Sequence, residues 1–147
     1  MRSVTRLATL LFATAALTAC EDKADFSNIL VPVVPVTSIG GTFGLQTLNG
    51  LGLPQTITIP TIGTVTVDSS SLTLVTTNST SGTFTLVIHV PAPDPAITVT
   101  GDYTLSGTNL TLVPTTPAGL PNITGTWDGS NMLTLSEFGA TAVFTRP

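Results

Sequence analysis

Charged residues are scarce in this chain. They make up only 8% of its 147 residues, against about 25% in an average soluble domain. The 4 basic residues are too few to form a face that neutralises phosphates, which excludes nucleic acid as a partner. The single cysteine and single histidine exclude a disulfide framework, a Cys/His zinc site and a Cys–His catalytic pair. We therefore expect no metal site and no cofactor.

Threonine and apolar residues are abundant where an average domain has charged residues. The sequence contains 30 threonines, and 41% of its residues are hydrophobic. A mean hydropathy of +0.48 separates it from disordered chains, in which low hydrophobicity accompanies high net charge. The length is that of one domain.

The N-terminal segment is typical of a signal peptide. Arg2 and Arg6 precede the apolar run Leu7–Leu17, which is too short for a bilayer span of about 20 residues. The tetrapeptide 17–20, Leu-Thr-Ala-Cys, resembles the lipobox of bacterial lipoproteins. This resemblance implies that residues 1–19 are removed and that acyl chains on Cys20 attach the protein to a membrane. An ordinary secretory signal, with Cys20 incidental, is the alternative.

The residues after Cys20 bear on location. In enterobacterial lipoproteins, aspartate directly after the cysteine retains the protein in the inner membrane. Because Glu21 stands there, the resemblance implies a cell-envelope protein of the outer membrane. Residues 20–39 then form a tether, since Pro32 and Pro35 among valines favour an extended path.

From residue 40 onward, apolar residues recur with a period of two. Phe84, Leu86 and Ile88 share one face of a predicted strand, and Ile97, Val99 and Tyr103 share one face of the next. Mostly threonines occupy the opposite faces, and the two apolar faces are expected inside. Short strands of this kind alternate with turn residues, such as Asn49-Gly50 and Asp128-Gly129, for which a type I′ turn is expected. The pattern predicts an all-β domain over 40–147: a closed antiparallel up-and-down barrel of eight to ten strands.

A short repeat favours the barrel over a sandwich. A glycine two residues before an aromatic residue occurs at Gly41/Phe43, Gly82/Phe84, Gly101/Tyr103 and Gly125/Trp127. Such glycines let a strand bend, and a neighbouring ring covers the exposed backbone. The alternative is that the repeat only marks the beginning of hairpins.

The segment Gly40–Pro54 resembles the opening strand and turn of small lipocalin-like bacterial lipoprotein domains, and Gly101–Leu112 and Gly125–Arg146 are similar to later parts of them. Lipocalins carry a basic residue on the last strand that packs across an aromatic residue of the first. The resemblance implies that the first and last strands pair and that Arg146 lies over the Phe43 ring, the two together closing the barrel. A frayed terminus with Arg146 in water is the alternative.

Candidate catalytic residues are dispersed. His89 alternates with threonines and is expected at the surface, and Asp94 lies in a proline-rich loop. The remaining acids of the domain are expected in turns or on the outer face: Asp68, Asp102, Asp128 and Glu137. No pair of them is expected to form a carboxylate site, so the sequence predicts no catalytic residue and no enzyme.

Two functions remain open for a monomeric domain of this kind. We expect the first, which is binding of one small apolar ligand inside an eight-stranded barrel, by residues that the sequence does not identify. Alternatively, the barrel is filled by its own side chains and the outer face or loops contact another envelope protein, as an interaction or inhibitor module. A ligand cavity or a filled interior distinguishes the two.

Overall fold

The computed structural model describes residues 38–147, which form strands and turns without helix. The strands are β1 Gly41–Leu48, β2 Gln55–Ile59, β3 Gly63–Val67, β4 Ser69–Asn78, β5 Ser81–His89, β6 Ile97–Ser106, β7 Asn109–Thr116, β8 Ile123–Trp127, β9 Met132–Glu137 and β10 Ala140–Thr145. The predicted all-β class is confirmed.

Eight of these strands close into an antiparallel barrel in the order β1-β10-β9-β8-β7-β6-β5-β4. The ring closes at β1, where Gly44 is opposite Thr145 of β10 on one side and Ser71 of β4 on the other. The strands from β5 to β9 each pair with the strands before and after them in the chain. The predicted closed up-and-down barrel, the architecture of lipocalins, is therefore confirmed.

The period of two determines which side chains face the interior. Phe84, Leu86 and Ile88 of β5 are buried, and so are Val99 and Tyr103 of β6, as predicted for these two strands. The intervening threonines lie on the outer face. Burial of the inward apolar side chains supplies the hydrophobic driving force for closing the sheet.

The repeat of glycine and aromatic residue interlocks two neighbouring strands. Gly82 of β5 is opposite Tyr103 of β6, and Phe84 is opposite Gly101. A Cβ atom added to Gly82 would lie 2.8 Å from the Tyr103 ring, and one added to Gly101 would lie 2.8 Å from the Phe84 ring. Each ring therefore fills the gap left by the opposite glycine. This explains why the motif occurs on both β5 and β6, which are adjacent and antiparallel.

Two parts of the chain differ from the sequence prediction. β2 and β3 had the pattern of wall strands, but they form a separate two-stranded sheet with each other. The four-residue connection between β8 and β9 is a hairpin turn as predicted, yet only Gly129 in it has a positive φ, of 87°. A type I′ turn requires positive φ at both central residues, so that assignment was wrong. In the turn Leu48–Leu51, both central residues have a positive φ, of 52° at Asn49 and 75° at Gly50.

The barrel has two distinct ends. We call the end where β1 begins and β10 ends the entry end, because the chain enters the barrel there at Ser38–Gly40. The opposite end, the hairpin end, carries the β2–β3 hairpin together with the loops 90–96, 117–122 and 138–139.

Candidate functional site

Arg146 and Phe43 meet at the entry end. The guanidinium carbon of Arg146 lies 4.8 Å from the centroid of the Phe43 ring, a cation–π distance. Phe43 is fully buried at the start of β1, and Arg146 follows the last residue of β10. Pairing of β1 with β10 brings the two residues together although they are far apart in the sequence.

Arg146 also holds the segment that enters the barrel. Its Nη2 group donates hydrogen bonds to the carbonyl oxygens of Ser38, Ile39 and Gly40, at 3.1, 3.2 and 3.0 Å. Gly41 lies beneath the guanidinium: its φ is 134°, and a Cβ atom there would be 3.4 Å from Arg146 Nε. A side chain at position 41 would therefore be strained by this φ, while its Cβ atom would be in van der Waals contact with Arg146.

The interior of the barrel is filled by side chains. A side chain bordering a water-sized void would keep accessible surface inside the barrel. The following inward side chains at mid-height have 0% exposure: Leu72, Leu86, Val99, Leu112, Leu133, Leu135 and Phe144. Two polar atoms of this interior, Tyr103 Oη and Trp127 Nε1, have no hydrogen-bond partner among the described residues.

The β2–β3 hairpin covers the other end. Its apolar residues Ile57, Ile59 and Val67 are buried in the same hydrophobic core as the barrel interior. Near its turn, the Cγ2 atom of Thr61 lies 3.7 Å from the position that a Gly119 Cβ would occupy. The hairpin thus reaches across the mouth from β1 and β4 to the loop 117–122.

Two open clefts flank the hairpin. One, of about 500 Å³, lies between β3 and the loop between β5 and β6, and its lining includes Ile62, Val65, Pro91 and Asp94. The other, of about 530 Å³, lies between the end of β2 and the β9–β10 turn. Its lining residues are Thr58, Pro60, Pro121, Asn122, Ser136, Phe138, Gly139, Ala140 and Thr141. Both clefts lie outside the filled barrel.

Glu137 occupies an unexpected position. The sequence prediction placed it in a turn or on the outer face, but only 2% of the residue is exposed, and that prediction was wrong. Its Oε2 atom has no hydrogen-bond partner among the described residues, and burial raises the pKa of its carboxyl to about 7. The signal was present in the sequence, because Glu137 continues the inward row of Leu133 and Leu135 at intervals of two.

The other candidate catalytic residues face water. His89, Asp68 and Asp94 are exposed at the rim of the hairpin end, where the Asp68 N–H donates to the His89 carbonyl oxygen, and Asp102 is exposed on β6. Asp128 stabilises the turn in which it lies. Its carboxyl accepts hydrogen bonds from the backbone N–H groups of Met132 and Ser130, and these lower its pKa, the bond from Met132 most. Within residues 38–147, no three or more His, Cys, Asp or Glu side chains gather as a metal site would require.

The lipid-attachment residue predicted from the sequence, Cys20, lies outside the described residues, as do the signal peptide 1–19 and nearly all of the tether 20–39. In the part of the chain that the structure describes, no helix has the length and apolarity of a membrane span. Comparison of the chain with protein-family models, curated proteins and solved structures finds no match.

Proposed function

We propose that this chain is a lipid-anchored protein of the bacterial cell envelope, directed to the outer membrane, whose barrel is a protein-interaction module. The anchor is inferred from the lipobox-like residues 17–20, with Cys20 as the acylated residue. Two or three acyl chains, at about 0.8 kcal/mol per buried CH₂ group, would hold the protein at a membrane without help from the domain.

The filled interior is the observation that supports an interaction module. The inward side chains at mid-height have no accessible surface, and both ends are closed, by Arg146 with the entering segment and by the β2–β3 hairpin. A carrier of the lipocalin type needs an internal volume that its ligand can occupy. The surface that remains for recognition is the outside of the barrel.

The hairpin end is the part of that surface best placed for a partner. The described chain enters the barrel at Ser38–Gly40, at the opposite end, so the entering segment does not cover the hairpin end. Its two clefts are lined by small polar and apolar residues, with Asp94 as the charged residue among them. The partner expected there is an envelope protein that inserts apolar and uncharged side chains.

A second candidate function is carriage of a small apolar ligand inside the barrel. The unpartnered donors Tyr103 Oη and Trp127 Nε1 favour it, because buried polar groups normally find a partner. In this case the protein purified from its host would contain a bound small molecule, which native mass spectrometry detects. An interaction module would show the mass of the lipidated polypeptide alone.

Site-specific photocrosslinking in cells tests the interaction module directly. A photoreactive residue at position 62, at the hairpin end, is compared with one at position 113, on the barrel wall. Ile62 and Val113 have the same exposure, 40%, so the pair is matched. We expect a discrete crosslinked protein from position 62 and none from position 113. Equal crosslinking from the two positions would contradict the assignment of the hairpin end.

Membrane attachment is tested separately with Cys20→Ala. We expect the wild-type chain to incorporate radiolabelled palmitate and to sediment with outer membranes, and the variant to lose both properties. A processed Cys20→Ala protein that still sediments with membranes would contradict the lipid anchor while leaving the interaction module open.

A further inference from the structure

The β2–β3 hairpin is held at the barrel mouth by few polar contacts. β2 and β3 pair with each other and, within residues 38–147, with no strand of the wall. At one base of the hairpin, Asn49 exchanges hydrogen bonds with the backbone of Thr141 at 2.7 and 2.9 Å. At the other base, the Asp68 N–H donates to the His89 carbonyl oxygen at 2.9 Å. The rest of the attachment of the hairpin to the barrel comes from burial of its apolar side chains.

Glu137 lies in the mouth that this hairpin covers. It ends the inward row of β9 and is paired in register with Ala140 of β10, which is also buried. The adjacent residues Ser136, Phe138 and Ala140 border the cleft whose other side is formed by Thr58 and Pro60 of the hairpin. Glu137 is therefore buried at the mouth, beside the cleft that the wall and the hairpin form, and its Oε2 atom has no partner among the described residues.

No opposite charge in the described residues faces this carboxyl. The hairpin residues 55–67, the loop 117–122, β8 and β10 contain no ionisable side chain. Arg146, the basic residue of the barrel domain, lies at the entry end. At the rim of the hairpin end the ionisable residues are Asp68, His89 and Asp94, and all three are exposed to water.

We propose that the β2–β3 hairpin is a pH-sensitive cap. The cap stays closed while Glu137 is protonated and opens when Glu137 is ionised. A neutral carboxyl group tolerates an apolar enclosure, whereas a carboxylate there needs water or a cation. Lifting the hairpin admits water while breaking few hydrogen bonds. Separating β9 from the wall would break a complete ladder. The inference does not depend on the lipid anchor or on the partner.

The direction of the pH dependence follows from the closed state. Burial raises the pKa of Glu137 from 4.5 to about 7 in the closed barrel, whereas an open cap would return the carboxyl to its ordinary value. The closed state is therefore most stable relative to the open state below the ordinary pKa. This stability difference decreases as pH rises toward about 7. Between about pH 4 and about pH 8 this difference would raise the opening equilibrium by roughly 200-fold.

Hydrogen exchange of the full chain tests the cap. Protection of the hairpin amides in β2 and β3 is compared with that of wall amides in β5, across the pH range, in wild type and in Glu137→Gln. The ratio of the exchange rate in wild type to the exchange rate in the variant, taken at each pH, cancels the intrinsic pH dependence of exchange. We expect this ratio to grow by about two orders of magnitude with pH at the hairpin and to stay flat in β5.

Asp102→Asn is the matched control, because Asp102 is an exposed acid on the outer face of β6. It should retain the wild-type pH dependence. The same pH dependence in wild type and Glu137→Gln would overturn the proposal, and so would an equal loss of protection in the hairpin and in β5. If Glu137→Gln does not fold, Glu137→Leu replaces it, and the comparison of hairpin with wall in the wild type still decides between a cap and uniform unfolding.

Discussion

Each of the two ends of the barrel is closed over an ionisable residue, and the two residues differ in how their polar atoms are satisfied. At the entry end, Nη2 of Arg146 donates to three carbonyl groups and the guanidinium stacks on Phe43, although its Nε has no partner within residues 38–147. At the hairpin end, Glu137 is enclosed with an unpartnered oxygen and no cation in reach among the described residues. The first arrangement holds the chain in place, and the second makes closure depend on protonation.

The difference follows from the chemistry of the two groups. A guanidinium is charged at every ordinary pH, and its planar donors suit backbone carbonyls, so Arg146 keeps its contacts whatever the conditions. A carboxyl group can become neutral, and enclosure favours that form. A barrel end that must stay closed is therefore better held by arginine, and an end that opens is better controlled by an acid.

Phe43→Ala breaks the entry end and should have the largest effect. Loss of a fully buried ring costs ~3–5 kcal/mol in the free energy of unfolding. Phe84→Ala, a buried ring in β5, should show a similar loss without any effect on the Arg146 contacts. Urea unfolding of both variants measures this. A loss below about 1 kcal/mol for Phe43→Ala would mean that the ring is not part of the core.

Glu137→Gln should abolish a pH dependence of stability at the hairpin end. With a pKa of about 7 in the folded state against 4.5 ordinarily, wild type should lose ~3 kcal/mol of unfolding free energy as pH rises from about 4 to about 8. Asp128, whose pKa is lowered, acts in the opposite direction and only below its ordinary value of 3.8. Unfolding at several pH values measures the effect, and parallel curves for wild type and variant would refute it.

Arg146→Met tests the entry end while keeping an apolar stem over Phe43. The hydrogen bonds from Nη2 and the cation–π contact are lost, at a cost of ~2 kcal/mol. Because the change is local, the Ile39 amide should lose more protection from hydrogen exchange than the β5 amides. Arg146→Lys should restore only part of the loss, since an ammonium group lacks the planar array of donors. Full restoration by lysine would show that charge alone holds the entering segment.

Asn49→Gly addresses the base of the hairpin and should have the smallest effect. Glycine tolerates the φ of 52° found at this position, so the variant isolates the hydrogen bond from the Thr141 N–H to the Asn49 side chain. We expect a loss of ~1 kcal/mol, confined to hydrogen-exchange protection of β2 and β3. An equal loss in the wall would show that the hairpin and the barrel open as one unit.

Much of the wall was predictable from the sequence. The period of two identified the inward rows of β5 and β6, because an antiparallel strand with one buried face must alternate. The glycine and aromatic repeat indicated where rings cover bent strands, as Tyr103 and Phe84 do. The hairpin end was predicted less well. β2 and β3 alternate as wall strands do, and alternation does not say whether two strands pair with the wall or only with each other.

The sequence by itself determined the all-β class, the positions of the turns and the inward rows of side chains. It also determined that the antiparallel meander closes, because the meander has no other sheet to pack against. These features follow from local alternation and turn chemistry. Only the tertiary structure decided that the hairpin leaves the wall, that the interior is filled and that Glu137 is buried. Those properties depend on the width of the closed barrel and on which elements meet at its mouth, and both arise from contacts between residues far apart in the chain.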